Sequence, residues 1–297
     1  MIQENNLTID LHMHSTVSDG TETPEELLQS ILRAGVRFFS LTDHDSLEGC
    51  RLIREALDQE SLSDLFFING IEFSCKDELG KYQILGYGYD ETKEGIRNAV
   101  SKGHEYRMDK TKSRIRFLEE EYGFTFSQED LSRLYSRANP GKPHIGNMMV
   151  DYGYAPDKNT AITEYINKCK SSSSYLRPEE ATRAILSSGG IPVLAHPYFG
   201  NGSQKIFGEE MENRLDRLVE MGVMGVEAFY SGFSKKMIRD MLAMAGRYNL
   251  YITAGSDYHG SNKPDILLGH TGLTTHEHLP TGLKRFLDEC PKNKEKK

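Results

Sequence analysis

The stretch LTIDLHMHSTVSDG, residues 7–20, decides how the rest of the chain is read. An apolar run ends on His12 and His14, and the chain then turns through Asp19 and Gly20. In an extended segment side chains i and i+2 point the same way, so the two imidazoles can approach one ion together. The pattern recurs downstream. RFFSLT (37–42) leads to Asp43, His44 and Asp45, and FFINGIEF (66–73) contains Glu72. IPVLA (191–195) leads to His196, and LYITAGS (250–256) leads to Asp257 and His259. A lone histidine after a strand is commonly a hydrogen-bonded structural residue, and Asp45 is equally well placed to cap the helix that follows. Five apolar runs carrying such residues are a pattern. Imidazole with carboxylate suits zinc, manganese or iron.

Those runs alternate with helical patterns. PEELLQSILRAG (24–35) opens near Pro24 and stops at Gly35, and SLEGCRLIREALDQ (46–59) follows the second run. KYQILGYGY (81–89) lies close after FFINGIEF as a neighbouring strand, and GVMGVEAFY (222–230) is a further run. Met237, Ile238, Met241, Leu242 and Ala245 give the next segment an apolar helical face. Such alternation predicts an α/β fold with a largely parallel sheet, because parallel neighbours need a crossover. About seven strands favour a TIM-like barrel, with an open doubly wound sheet as the alternative. In a barrel all the strand ends open onto one face, so the residues named above converge.

The middle of the chain is different. No strand is predicted between about 92 and 175. HEYRMDKTKSRIRFLEEEYG reads as a long charged helix ending at Gly123, Ser127 caps a second helix with Asp130 in the capping-box position, and NTAITEYINKC is a third. SSSS (171–174) resembles a linker. The expected division is a barrel domain of residues 1–92 and 176–297 with a helical insertion at 93–175. The terminal PKNKEKK reads as a solvated tail.

Composition narrows the function. A net charge of −8 over 297 residues argues against stable binding of duplex nucleic acid through its backbone. An anionic substrate stays open, because bound metal ions invert the local field. Cys50, Cys75, Cys169 and Cys290 show no close pairing, as expected of a reducing compartment. No signal-like N-terminus and no apolar run of about 18 residues is present, so a cytoplasmic protein without membrane contact is expected.

Taken in order, DLHMHSTVSDG, TDHD, GIEFS, VLAHPYFG and GSDYHG resemble the successive motifs of the PHP (polymerase and histidinol phosphatase) family. The closest pattern is that of its stand-alone members similar to nucleoside 3′,5′-bisphosphate phosphatases. The resemblance implies a distorted (β/α)7 TIM-like barrel with a helical insertion that covers the substrate. It also implies two to three divalent ions, manganese foremost and zinc or iron as alternatives. One ion would take His12, His14, Glu72 and Asp257, a second Glu72 and His196, and a third Asp19, His44 and His259. One position departs from the family, whose strand after Glu72 carries a histidine in a segment like VHILGY; this chain reads YQILGY, with Gln83 in that place. The second ion is accordingly expected to bind less tightly.

The implied chemistry is hydrolysis of a phosphate ester, with a metal-activated hydroxide attacking phosphorus. His196 and His259 are catalytic candidates as histidines at the cluster edge, able to protonate the leaving alkoxide; a bound water is the alternative. Asp43 would orient a ligand. GKPHIGNMM (141–149) resembles the family's RPH segment, with Lys142 where arginine is usual. Lys142 and His144, and then Arg107, are the expected phosphate contacts, with Asp19 and His44 beside them. The expected partner is a small phosphorylated compound: a nucleotide-like or sugar phosphate monoester such as a nucleoside bisphosphate, or a short oligonucleotide. A cyclic phosphate diesterase, an exonuclease on short RNA and an inert metal-binding module are the alternatives.

Overall fold

The computed structural model describes residues 8–60, 65–170, 174–200, 205–274 and 279–291. Both the terminal tail PKNKEKK beyond Pro291 and serines 171–173 of the expected linker lie outside them. The order is β1 (Ile9–Asp10), α1 (Pro24–Ala34), β2 (Phe38–Phe39), α2 (Glu48–Glu60), β3 (Phe66–Phe67), β4 (Gly70–Lys76) and β5 (Lys81–Tyr87). Then come α3 (Glu94–Tyr122), α4 (Gln128–Tyr135), α5 (Lys142–Asp151), α6 (Lys158–Thr160) and α7 (Pro178–Ser187). The chain continues through β6 (Ile191–Leu194), α8 (Glu209–Glu220), β7 (Gly225–Tyr230), α9 (Lys235–Arg247), β8 (Tyr251–Gly255) and α10 (Thr281–Glu289).

Local chemistry explains the helix boundaries. Thr23 and Glu26 form a reciprocal capping box at the start of α1, and Gly35, at φ 68°, closes it in the left-handed conformation. Gly123 ends α3 in the same way, and Ser127 accepts the Asp130 amide at the start of α4. Asp45 does not cap α2. Ser46 Oγ takes the Glu48 amide at 3.3 Å, while Asp45 turns to another partner.

The strands correct the sequence reading at two points. Segment 66–73 is two strands in different sheets. β1, β2 and β3 form a parallel three-stranded sheet, whereas β4 begins a five-stranded sheet ordered β4-β5-β6-β7-β8. The break falls at Asn69, whose carbonyl accepts from Gly88 (2.9 Å) and whose amide donates to the Tyr89 carbonyl. The second sheet is mixed: β5 runs antiparallel to both β4 and β6. Only four residues separate β4 from β5, too few for the crossover a parallel pair requires.

Among the described residues the strands form these two sheets and no single closed barrel. The sheets touch at both margins. Leu11 donates to the Ala254 carbonyl (2.8 Å) and Met13 bridges to Tyr258, and on the other side His44 bridges to Glu72. One core packs the second sheet against its helices through Leu11, Ile71, Phe73, Tyr87, Val226 and Phe286. A separate core of Ile115, Leu118, Ile145, Met149 and Ile166 holds the α3–α6 region together. The helical region docks on the loop after β2. Gly103 of α3 lies so close to Asp45 that a Cβ there would sit 3.1 Å from its carboxylate.

Candidate metal centre

The ends of β1, β2, β6 and β8, with the middle of β4, deliver the site. Three overlapping groups offer ligand atoms within 4.8 Å of one another: His14, Asp19, His44 and His259; His12, Glu72 and His196; and His12, His14 and Asp257. Glu72 stands at the centre. Its Oε1 lies 3.4 Å from His12 Nε2 and 3.3 Å from His196 Nε2, and its Oε2 lies 3.4 Å from His14 Nε2. Asp257 Oδ1 is 3.6 and 3.5 Å from His12 and His14, and Asp19 Oδ1 is 3.3 Å from His259 Nε2.

Each ring is oriented by a second partner. His12 Nδ1 donates to Glu227 Oε1 at 2.9 Å, which turns Nε2 inward. The other Glu227 oxygen accepts the His196 backbone amide at 2.8 Å, so one buried carboxylate positions two of these histidines. His259 Nδ1 donates to the Asp257 carbonyl (2.8 Å), and His14 Nδ1 to Ser18 Oγ (3.3 Å). The Asp43 side chain reaches the cluster through that serine. It accepts Ser18 Oγ at 2.6 Å, together with the Ser15 amide and hydroxyl, and among the described residues it belongs to none of the three groups. Asp257 Oδ2 is held by Tyr230 Oη (2.9 Å) and Lys263 Nζ (2.5 Å), leaving Oδ1 for the cluster. Gly255 permits the approach of β8, because a Cβ there would collide with His12 and Glu227.

The electrostatics are those of a buried charged centre. Burial works against ionisation of Asp19, Glu72 and Asp257, yet facing imidazoles, and Lys263 for Asp257, hold all three well below the usual carboxylate range. Burial also opposes charge on His12 and His14, but the carboxylates outweigh it. They raise His12 well above its ordinary value and His14 to about 9. His259 is pulled down by burial, then by His14 and Lys263. Asp45, His196 and Asp257, all non-glycine, carry positive φ (47°, 25° and 60°) at the strand ends, where local strain commonly marks a functional constraint.

Five buried atoms of the cluster make no hydrogen bond among the described residues: His12 Nε2, His14 Nε2, Asp19 Oδ1, His44 Nδ1 and Glu72 Oε2. Buried polar groups are ordinarily satisfied, and converging unsatisfied imidazole and carboxylate atoms are the donor set of a divalent ion. The residues present fit such ions.

A cavity of about 240 Å3 adjoins the cluster, lined by Asp19, His44 and Gln83 on one side and by Arg107 and Lys142 on the other. The substrate-contact expectations divide there. Arg107 lines the cavity but gives its guanidinium to Asp45 Oδ2 (2.6 and 3.1 Å) and Ser74 Oγ (2.9 Å), and so ties α3 to the loop carrying His44. Lys142 donates to Asn167 Oδ1 at 2.5 Å. His144 is turned away: its Nδ1 accepts the Gly141 amide at 3.1 Å, and it lines a smaller cavity with Arg137 and Asp130. Burial, then Arg137, pushes it down to about 4.

Sequence reasoning missed Glu227, Tyr230, Lys263 and Asp10. Asp10 is fully buried and binds the Ser256 amide (2.9 Å) and hydroxyl (2.6 Å), tying β1 to the end of β8. Asp10 in LTIDL and Glu227 in GVEAFY were visible as lone carboxylates inside apolar runs, the same signal that marked Glu72.

A buried imidazole–carboxylate centre at strand ends, opening onto a basic cavity, defines the class: a metal-binding α/β hydrolase acting on an anionic ester. The chain belongs to the PHP family, whose domain matches residues 10–176, and it is a metal-dependent phosphoesterase. It is 27% identical to the 3′,5′-nucleoside bisphosphate phosphatase of Chromobacterium violaceum over 274 residues, 89% of this chain and 91% of that protein. It is 30% identical to the phosphoribosyl 1,2-cyclic phosphate 1,2-diphosphodiesterase of Eggerthella lenta over 259 residues, 84% of this chain and 94% of that protein. The solved structure of a Chromobacterium violaceum amidohydrolase with bound sulfate and no metal superposes with a TM-score of 0.78 at 26% identity, covering 95% of each chain.

Proposed function

We propose that this phosphoesterase hydrolyses a small phosphate monoester of the nucleoside 3′,5′-bisphosphate kind at a centre of two to three divalent ions, manganese foremost. The five converging buried atoms without hydrogen bonds among the described residues carry the reading. His12, His14, Glu72 and Asp257 would hold one ion, Glu72 and His196 a second, and Asp19, His44 and His259 a third. When bound, the ions supply an acidified water and neutralise charge on the phosphoryl group. The protein's own part is orientation. Glu227 fixes His12 and His196, Ser18 carries the influence of Asp43 to His14, and Tyr230 with Lys263 limits Asp257 to one inward oxygen. His259, with Nδ1 committed to a carbonyl, offers only Nε2 to the cluster; as a ligand of the third ion it has no proton to give, and a bound water would protonate the leaving oxygen.

On this reading the two sheets are halves of a distorted seven-segment barrel, with segment 66–76 contributing to both. Residues 93–175 form the inserted cap, and Arg107 and Lys142 face the substrate from it. A cyclic phosphodiester is the second reading, favoured by the 30% identity to the Eggerthella lenta diesterase. The deciding experiment screens the manganese-loaded protein against a nucleoside 3′,5′-bisphosphate, cyclic phosphates and short oligonucleotides. The bisphosphate is expected to be cleaved fastest. Inactivity on all three classes at full metal occupancy would overturn the proposal.

A further inference from the structure

The residues of the cluster differ in what holds them from behind. His12, His14, His196, Asp257 and His259 are each fixed by a hydrogen bond from the strand side. Among the described residues, neither the Asp19 carboxylate nor the His44 ring has such a bond to a residue outside the cluster. The loops carrying these two are held instead by the helical region α3–α6. Asn139, 3% exposed, donates its Nδ2 to the His44 carbonyl, and Arg107 binds the adjacent Asp45. Asn139 is itself set in place by α3. His104 Nδ1 donates to the Ala138 carbonyl at 2.8 Å and Thr111 Oγ1 to the Pro140 carbonyl at 3.2 Å, from the helix face that also carries Arg107.

The Asp19 loop is reached from the other end of the same region. Asn262 Nδ2 donates to the Asp19 carbonyl at 2.7 Å, and its Oδ1 accepts Lys158 Nζ of α6. The Lys158 stem runs over Gly146 of α5, where a Cβ would come within 3.2 Å of it. Gly260, at φ 62°, closes the seam between the two loops. A Cβ there would collide with Thr21 Oγ1, which accepts the Ser261 amide at 2.9 Å. No hydrogen bond or ion pair among the described residues joins the helical region to His12, His14, Glu72, His196 or Asp257.

We propose that Asn139 and Asn262, the second braced by Lys158, are positioning residues for His44 and Asp19, so that the helical region is part of the third ion's site and docks more firmly when that ion is bound. The proposal rests on the assignment of Asp19, His44 and His259 to one ion and adds what shapes that site. Both amides act through backbone carbonyls: a carbonyl held from outside fixes its loop, and the loop fixes the ligand atom. Loss of such support costs about 10–100-fold in metal affinity. The coupling is reciprocal, so whatever the docked region adds to ion affinity the ion returns to docking. His259 has its own bond to the Asp257 carbonyl, so cutting the support weakens the site without removing all of its ligands.

Chelator-buffered zinc added to the full chain and followed by imidazole NMR reads the sites separately, because His44 and His259 report on one and His12 and His196 on the others. Lys158→Met and Asn139→Leu should each raise the zinc concentration that shifts His44 and His259 by about tenfold or more, and leave that for His12 and His196 within about twofold. Lys158→Arg keeps a donor for Asn262 and should restore the affinity. Lys158 is only half-buried, and its variants decide the matter if Asn139→Leu fails to fold. Hydrogen exchange along α5 and residues 158–168 should slow about tenfold once zinc fills the site, and Lys158→Met should remove that protection. A change common to all the histidines, no change at any, no rescue by Lys158→Arg, or exchange indifferent to zinc would each overturn the proposal. An active phosphoesterase with any of those results overturns the proposal alone. Site-selective weakening in a protein inert toward every ester supports it and overturns only the functional reading.

Discussion

The two walls of the central cavity carry opposite charge and are held by opposite means. On the strand side nearly every polar group has a fixed second partner: Glu227 behind His12 and His196, Ser18 behind His14, Tyr230 and Lys263 behind Asp257. On the helix side Arg107 is held by Asp45 and Lys142 by Asn167, while Lys110 rests on a ring. Rigid strand ends suit ions that tolerate little error in ligand placement, and long cations on helices suit a ligand that arrives and leaves.

The strongest way to break that comparison is at Glu72, which alone faces His12, His14, His44 and His196. Glu72→Gln should lower hydrolysis about a thousandfold or more, with elemental analysis showing fewer ions per chain. A variant with full metal content and near-normal turnover would mean that the centre is not where these atoms converge. Glu227→Gln probes orientation behind the same wall. It keeps the shape but loses the charge-assisted bond to His12, and should weaken metal binding about 10–100-fold in a chelator competition. An unchanged affinity would leave Glu227 a structural residue only.

Acid should act on the strand wall in the same direction. His12 and His14 are raised in the metal-free protein, His14 to about 9, so each carries a proton that an ion must displace. Metal affinity therefore increases with pH up to about 9 and falls below it, by about tenfold per pH unit for each proton released. Chelator titrations across that range check the slope. A flat profile would show that the imidazoles are already neutral.

Much of the strand wall was legible in the sequence because its residues sit at the ends of apolar runs, and the ends of runs are a local property. His12, His14, His44, His196 and His259 all fall in the centre for that reason. What was hidden depends on long-range pairing. The antiparallel course of β5 follows from a four-residue connection, a clue that was present and not weighed. Tyr230 and Lys263 become partners of Asp257 only once β7 and β8 lie side by side. The helix wall was hardest to read. Arg107, Lys110 and Arg114 have plain helical spacing, but a charged stripe on a long helix ordinarily faces solvent, and the burial of Lys110 and the inward contact of Arg107 with Asp45 show otherwise. His144 shows the opposite case: its motif position points to the substrate, whereas its Nδ1 accepts the first amide of its own helix.

Gln83 lies where the two walls meet, and it offers the smallest and most discriminating change. It pairs with Ser74 across β4 and β5, two residues along each strand from the pairing of Glu72 with Leu85. Because side chains alternate, Gln83 shares a face with Glu72. Its carbonyl accepts the Ala195 amide at 3.0 Å, which places it beside His196. The group containing His196 has three ligand residues, against four for the group around Asp19. An amide oxygen in the missing place is a weaker donor to a transition metal than an imidazole nitrogen. Gln83→His should therefore raise metal content toward three per chain and tighten the weakest site by about tenfold, within the range that one added ligand interaction commands. Unchanged metal content and affinity would leave Gln83 a lining residue of the cavity and not a ligand position.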